Sequence, residues 1–113
     1  MSPIIKSDLL FEAEDIFGKK IRTTKTYWNK IFHIKHKEVE TTKEIVTKVL
    51  ASPDEVRKSV QDPYIFLFYK KEDTKYLVVV VKYLNGSGFV VTIYKTSKVK
   101  HKGKLIWRAL SKK

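Results

Sequence analysis

The segment YIFLFYKKEDTKYLVVVVKYLNGSGFVVTIYKT, residues 64–96, decides the fold. The runs YIFLFYKK, KYLVVVVKYL and GFVVTIYKT are rich in β-branched and aromatic residues and are set apart by the turn-prone KEDT and NGSG, the pattern of an antiparallel meander. Asn85-Gly86 is a hairpin signal, and a four-residue loop with two glycines leaves the turn type open. In YLVVVV apolar residues stand at both parities, as in a central strand covered on both faces. Helices can cover one face, so the other needs a second surface, from the N-terminal segment or a partner. Strict alternation puts Val90, Thr92, Tyr94 and Thr96 on one face, with Phe89, Val91, Ile93 and Lys95 on the other. Hydroxyls would then line one side.

Upstream, Lys20 to Thr23 reads as a short strand entering a helix capped by Thr24 or Thr26, with Tyr27, Ile31 and Ile34 recurring at i, i+4 and i+7. Thr41 and Glu44 have capping-box spacing ahead of Ile45, Val46, Val49 and Leu50, which predicts a second, short helix. Ser52, Pro53 and Glu55 repeat that spacing, as a further helical turn or as a turn leading into a first strand. The expectation is one α+β domain, RelE/barnase-like in outline: an N-terminal short strand and two helices packed on an antiparallel β-meander of three to four strands. Residues 1–17 form an N-terminal edge segment, 18–96 the core, and 97–113 a basic tail that packs back through Trp107.

A chain of 113 residues with 42% hydrophobic and 12% aromatic content can bury a core, and its composition is not that of a disordered protein. With no cysteine there is no disulfide framework, thiolate metal site or cysteine nucleophile. The N-terminus lacks a basic region followed by an apolar stretch, and no apolar run approaches a membrane span, so a cytoplasmic protein without membrane contact is expected. The net charge of +12 is the main compositional signal, since such a field attracts polyanions. Asp8, Glu12, Glu14 and Asp15 face only Lys6 in residues 1–17, whereas from Tyr94 onward there is no acidic residue. RNA or another single-stranded nucleic acid is the expected partner. An acidic partner protein is the alternative for the same charge.

His33 and His36, in FHIKHKEV, fall at i, i+3 on one side of a helix. They lack the zincin spacing, and Lys35 and Lys37 beside them oppose a cation, so no metal or other cofactor is expected. As acid–base groups they suit RNA cleavage by transesterification, which needs a base for the 2′-hydroxyl, an acid for the leaving 5′-oxygen and cations for the phosphorane charge. They equally suit the exposed side of a helix. Lys35, Arg57, Thr92 and Tyr94 complete the catalytic candidates. Tyr69, Lys95, Thr96, Lys98, Lys100, Lys102, Lys104 and Arg108 are the nucleic-acid-binding candidates, because rings stack on bases while cations track phosphates.

The order of a short strand, a helix with His33, Ile34 and His36, a second helix, the PD-x-V turn of Pro53, Asp54 and Val56, and a strand with Thr92, Tyr94 and Thr96 resembles a known group. It is similar, over about residues 18–108, to the phage and prokaryotic nuclease domains grouped with barnase, EndoU, the tRNase colicins and RelE-type toxins. The second histidine of that pattern is usually followed by proline, where Lys37 stands, and Ile93 takes the place of a frequent alanine. The resemblance implies a metal-independent endoribonuclease, toxin-like or carried by a mobile element, with an acidic antitoxin or inhibitor as a further partner. It implies an active surface on the sheet face with the helix-borne histidine beside it.

Overall fold

The meander forms the centre of a larger sheet. The computed structural model describes residues 8–35, 41–98 and 103–109. In chain order its elements are β1 (Leu9–Glu14), β2 (Lys20–Thr24), α1 (Lys25–Lys30), α2 (Lys43–Ala51), β3 (Glu55–Lys58), β4 (Ile65–Glu72), β5 (Lys75–Leu84), β6 (Ser87–Thr96) and β7 (Lys104–Arg108). The seven strands form one mixed sheet in the order β1-β2-β6-β5-β4-β3-β7. Only β2 and β6 run parallel; the other neighbours are antiparallel. The domain is α+β, but the sheet exceeds the three or four strands read from sequence. β2 is the short strand expected at Lys20 to Thr23, one residue longer, whereas EVRK and KLIWR are too short and too charged to show a strand period and gain their hydrogen bonds at the flank of the meander.

Side-chain hydroxyls start both helices. Thr24 Oγ1 accepts from the Tyr27 N–H at 3.1 Å, and α1 runs on into a π-helical turn, Ile31–Lys35. The cap of α2 is Thr42, one residue beyond the expected Thr41, and accepts from the Ile45 N–H at 3.2 Å. This phase turns Val46, Val49 and Leu50 inward and leaves Ile45 exposed. Ser52 ends α2, and the Asp54 N–H donates to the Tyr69 carbonyl at 2.8 Å, so Glu55 opens a strand and not a helical turn.

The helices cover one face. There Ile31, Val46, Val49 and Leu50 meet Ile21, Val56, Phe68, Leu77, Val79, Val81, Val90 and Ile93, with Trp107 of β7 packed at the margin. Complete burial of side chains of this kind is worth roughly 1.5–3 kcal/mol each. The β5–β6 turn is a two-residue loop: Leu84 pairs with Ser87, while Asn85 (φ 53°) and Gly86 (φ 83°) supply the two positive φ angles of a type I′ turn. A Cβ on Gly88 would run into Ile21 Cδ1 and lie 2.8 Å from Val81 Cγ1, so the close approach of β2 and β6 requires glycine here.

One β-bulge changes which side chains share a face. Val80 pairs with Thr92 but Val81 pairs with Val90, so Val91 is the extra residue of the bulge. The alternation read from sequence is thereby corrected: Val90 joins Ile93 in the core under the helices, while Thr92, Tyr94 and Thr96 stay on the helix-free face. The extra residue lets Val90 and Ile93 both be fully buried.

Candidate functional site

The helix-free face carries a second apolar cluster, Tyr69, Val78 and Val80, with Ile65, Leu67, Tyr76, Val91 and Tyr94 packed around it. The sheet's own aromatics are thus the second cover that YLVVVV requires. Tyr69 and Tyr76 meet edge to face at 6.3 Å.

Strand register assembles polar groups across this face. Arg108 lies opposite Glu55, Glu55 opposite Tyr69, Tyr69 opposite Val78, and Val78 opposite Tyr94. The next row places Arg57 opposite Leu67, Leu67 opposite Val80, and Val80 opposite Thr92. With strands about 4.8 Å apart, the Glu55 and Tyr94 backbones are some 14 Å apart, and the Tyr69 ring lies between them.

Glu55 is the hub. One carboxylate oxygen accepts from Arg57 Nε; the other accepts from Arg108 Nε at 3.3 Å and Nη2 at 3.2 Å. Arg57 also donates from Nη1 to the Gly103 carbonyl at 2.8 Å, which ties the start of β7 to β3. Glu55 and Arg57 are only 8% and 6% exposed, whereas the Arg108 side chain is 57% exposed. Arg57 is therefore a held cation, and Arg108 is the one able to swing toward a ligand. Two guanidiniums on one carboxylate leave a positive excess.

At the far end of the row, the Tyr94 and Tyr69 phenols share a hydrogen bond, and the Tyr94 hydroxyl is pushed well above the ordinary tyrosine range, first by burial and then by Tyr69. It is a phenol that stands protonated at neutral pH. Beside it, the Thr92 hydroxyl is buried with no hydrogen-bond partner among the described residues. Under the helices, Tyr83 is raised similarly, by burial first and then by its bond to Asp15 Oδ2. Unfolded tyrosines ionise near pH 10, so the stability these two groups contribute is complete below about that pH and declines as pH rises beyond it. In an alkaline titration followed in the phenolate absorbance band, Tyr83 and Tyr94 should ionise last, together with loss of native circular dichroism. Full ionisation of every tyrosine in a still-folded protein would contradict both assignments.

The structure brings Arg57, Tyr69, Thr92, Tyr94 and Arg108 to one face. His33 is exposed in the π-helical turn whose Ile31 is buried on the opposite side of the sheet, so it belongs to the helix layer. The side chain of Lys35, and all of His36, Lys100 and Lys102, lie outside the described residues. Lys95, paired with Leu77, faces the helix side and forms an ion pair with Glu72 at 3.7 Å, in a shallow cleft with Ile45 and Lys75. The Thr96 hydroxyl bonds the Lys98 backbone, and Lys98 and Lys104 are exposed.

Sequence reasoning missed Glu55. The signal was present in Glu55-Val-Arg57, because i, i+2 residues of a strand share a face, but the capping-box reading hid it. Among the described residues there is no cluster of three or more His, Asp or Glu side chains fit to hold a metal, and no helix long and apolar enough to cross a membrane. No protein-family model matches the chain, and no curated protein or solved structure does either.

Proposed function

We propose that the protein is a metal-independent endoribonuclease of the barnase/RelE-like kind, acting in the cytoplasm on RNA by 2′-hydroxyl transesterification. The observation that carries this reading is the row Arg108, Glu55, Tyr69 and Tyr94 on the helix-free face. The Glu55 carboxylate takes the 2′-hydroxyl proton once Arg108 turns from it to the phosphate. The 2′-oxygen attacks phosphorus, Arg108 and Arg57 offset the phosphorane charge, and the Tyr94 phenol protonates the departing 5′-oxygen. A phosphate over Tyr69 lies between base and acid. The exposed Lys98 and Lys104 draw the chain of phosphates in.

A second reading is favoured by the burial of Glu55 and Arg57, which also suits an ion pair kept for structure. In that case the net charge of +12 serves a non-catalytic module for single-stranded nucleic acid, whose affinity falls with salt and which releases no product.

Labelled RNA incubated in excess EDTA with the parent protein, Tyr94→Phe, and the double variant His33→Ala/His36→Ala separates these. The parent should leave 2′,3′-cyclic phosphate ends, Tyr94→Phe should be slower by about 10²-fold, and the histidine variant should cleave near the parental rate. Loss of cleavage in the histidine variant alone moves the chemistry to the helix. Salt-sensitive binding without cleavage by any of the three establishes the binding module instead.

A further inference from the structure

The outer edge of the sheet at β7 offers a different kind of surface. Strand β7 pairs with β3 on one side, and among the described residues no strand lies on its other side. The outward N–H and C=O groups of such an edge are a template for another strand. Edges are commonly protected by charge, shortness or a bulge, and β7 has all three in part: Lys104 and Arg108 at its ends, five residues in length, and a register shift at Ile106. Between the cations, however, Leu105 and Ile106 are 40% and 38% exposed. Val60, 70% exposed, lies just beyond Lys58, the β3 residue opposite Lys104.

Charge limits what can add there. Antiparallel pairing of two β7 strands would set Lys104 of one copy near Arg108 of the other, and like charges directly opposite are unfavourable. Lys58 and Lys104 meet across β3 and β7, and no acidic residue occurs from Tyr94 to the end of the chain. Nucleic acid satisfies the cations but leaves the backbone ladder and the branched apolar side chains without partners. An extended polypeptide satisfies all three.

We propose that β7 is the docking edge for an extended acidic segment of a partner protein, which adds as an eighth strand. Its carboxylates reach Lys104 and Arg108, and branched apolar residues between them cover Leu105 and Ile106. This is strand addition, in which main-chain hydrogen bonds supply affinity and alternate side chains supply selectivity. The proposal does not depend on the nuclease reading, because it rests on the edge and its exposed apolar residues.

The test uses the whole protein and a terminally blocked peptide with a pair of glutamates at each end and valines between them, so that a carboxylate faces each side of the sheet where Lys104 and Arg108 lie, with the matching lysine–valine peptide and poly(U) RNA as comparisons. Amide hydrogen exchange is read residue by residue. The acidic peptide should slow exchange along Lys104–Arg108 at least tenfold, the basic peptide should not, and Ile106→Lys should weaken binding of the acidic peptide about tenfold. Because Ile106 is exposed, that variant keeps the fold, and the comparison of the two peptides needs no variant at all. Equal protection by both peptides, no protection by the acidic one at millimolar concentration, or protection of these amides by poly(U) in place of peptide overturns the proposal. Protection in the protein alone, accompanied by a dimer in sedimentation, overturns it in favour of self-association.

Discussion

Glu55→Gln should reduce cleavage of RNA by about 10²–10⁴-fold, the range lost when a positioned general base is removed. Glutamine has nearly the same shape, and its single oxygen can still accept from the buried Arg57 while its NH2 turns toward the exposed Arg108, which is released to solvent, so the pairing of β3 with β4 and β7 is retained while the proton acceptor is gone. Some stability should also be lost, about 1–3 kcal/mol, because the buried Arg57 then faces a neutral partner. Rates must therefore be compared well below the melting temperature, with native circular dichroism as the check. RNA affinity should hold or rise, since a carboxylate that competes with phosphate for Arg108 has been neutralised. A variant that cleaves as fast as the parent removes Glu55 from the mechanism, and with it the case for the sheet face as the active surface.

The parts legible in the sequence were those that need no knowledge of which strand lies beside which. Residues 64–96 announce a meander through their density of β-branched and aromatic residues, and Asn85-Gly86 marks its turn. The histidines stood out for the same reason, because i, i+3 spacing on a helix is a local fact. The row from Arg108 through Glu55 and Tyr69 to Tyr94 is not local: it exists only once β7, β3, β4, β5 and β6 are in register. The four residues of β3 include three that are charged, so EVRK carries no hydrophobic period that would mark it as a strand. The bulge at Val91 was equally hidden, because two consecutive valines fit either phase of an alternation. Only the burial of Val90 beneath the helices decides between them.

Arg57→Ala should destabilise the protein by about 3–5 kcal/mol, the cost of leaving one member of a buried ion pair without its partner. For a domain whose total stability is on the order of 5–15 kcal/mol, that is a large fraction. Two effects combine: the buried Glu55 keeps only the exposed Arg108, and the Gly103 carbonyl loses the donor that ties β7 to β3. Replacing both members, Glu55→Leu with Arg57→Leu, removes the charges together with their desolvation cost. The double variant should therefore be more stable than Arg57→Ala, short of the parent mainly by the lost bond to Gly103, about 0.5–1.5 kcal/mol. Urea unfolding of the three proteins measures this directly. The same double variant should have no ribonuclease activity, and that combination of restored stability and lost activity is what distinguishes a pair kept for chemistry from one kept for structure. If the double variant unfolds as readily as Arg57→Ala, the two charges do not form the buried unit that their geometry describes, and Arg57 acts through its bond to Gly103 alone.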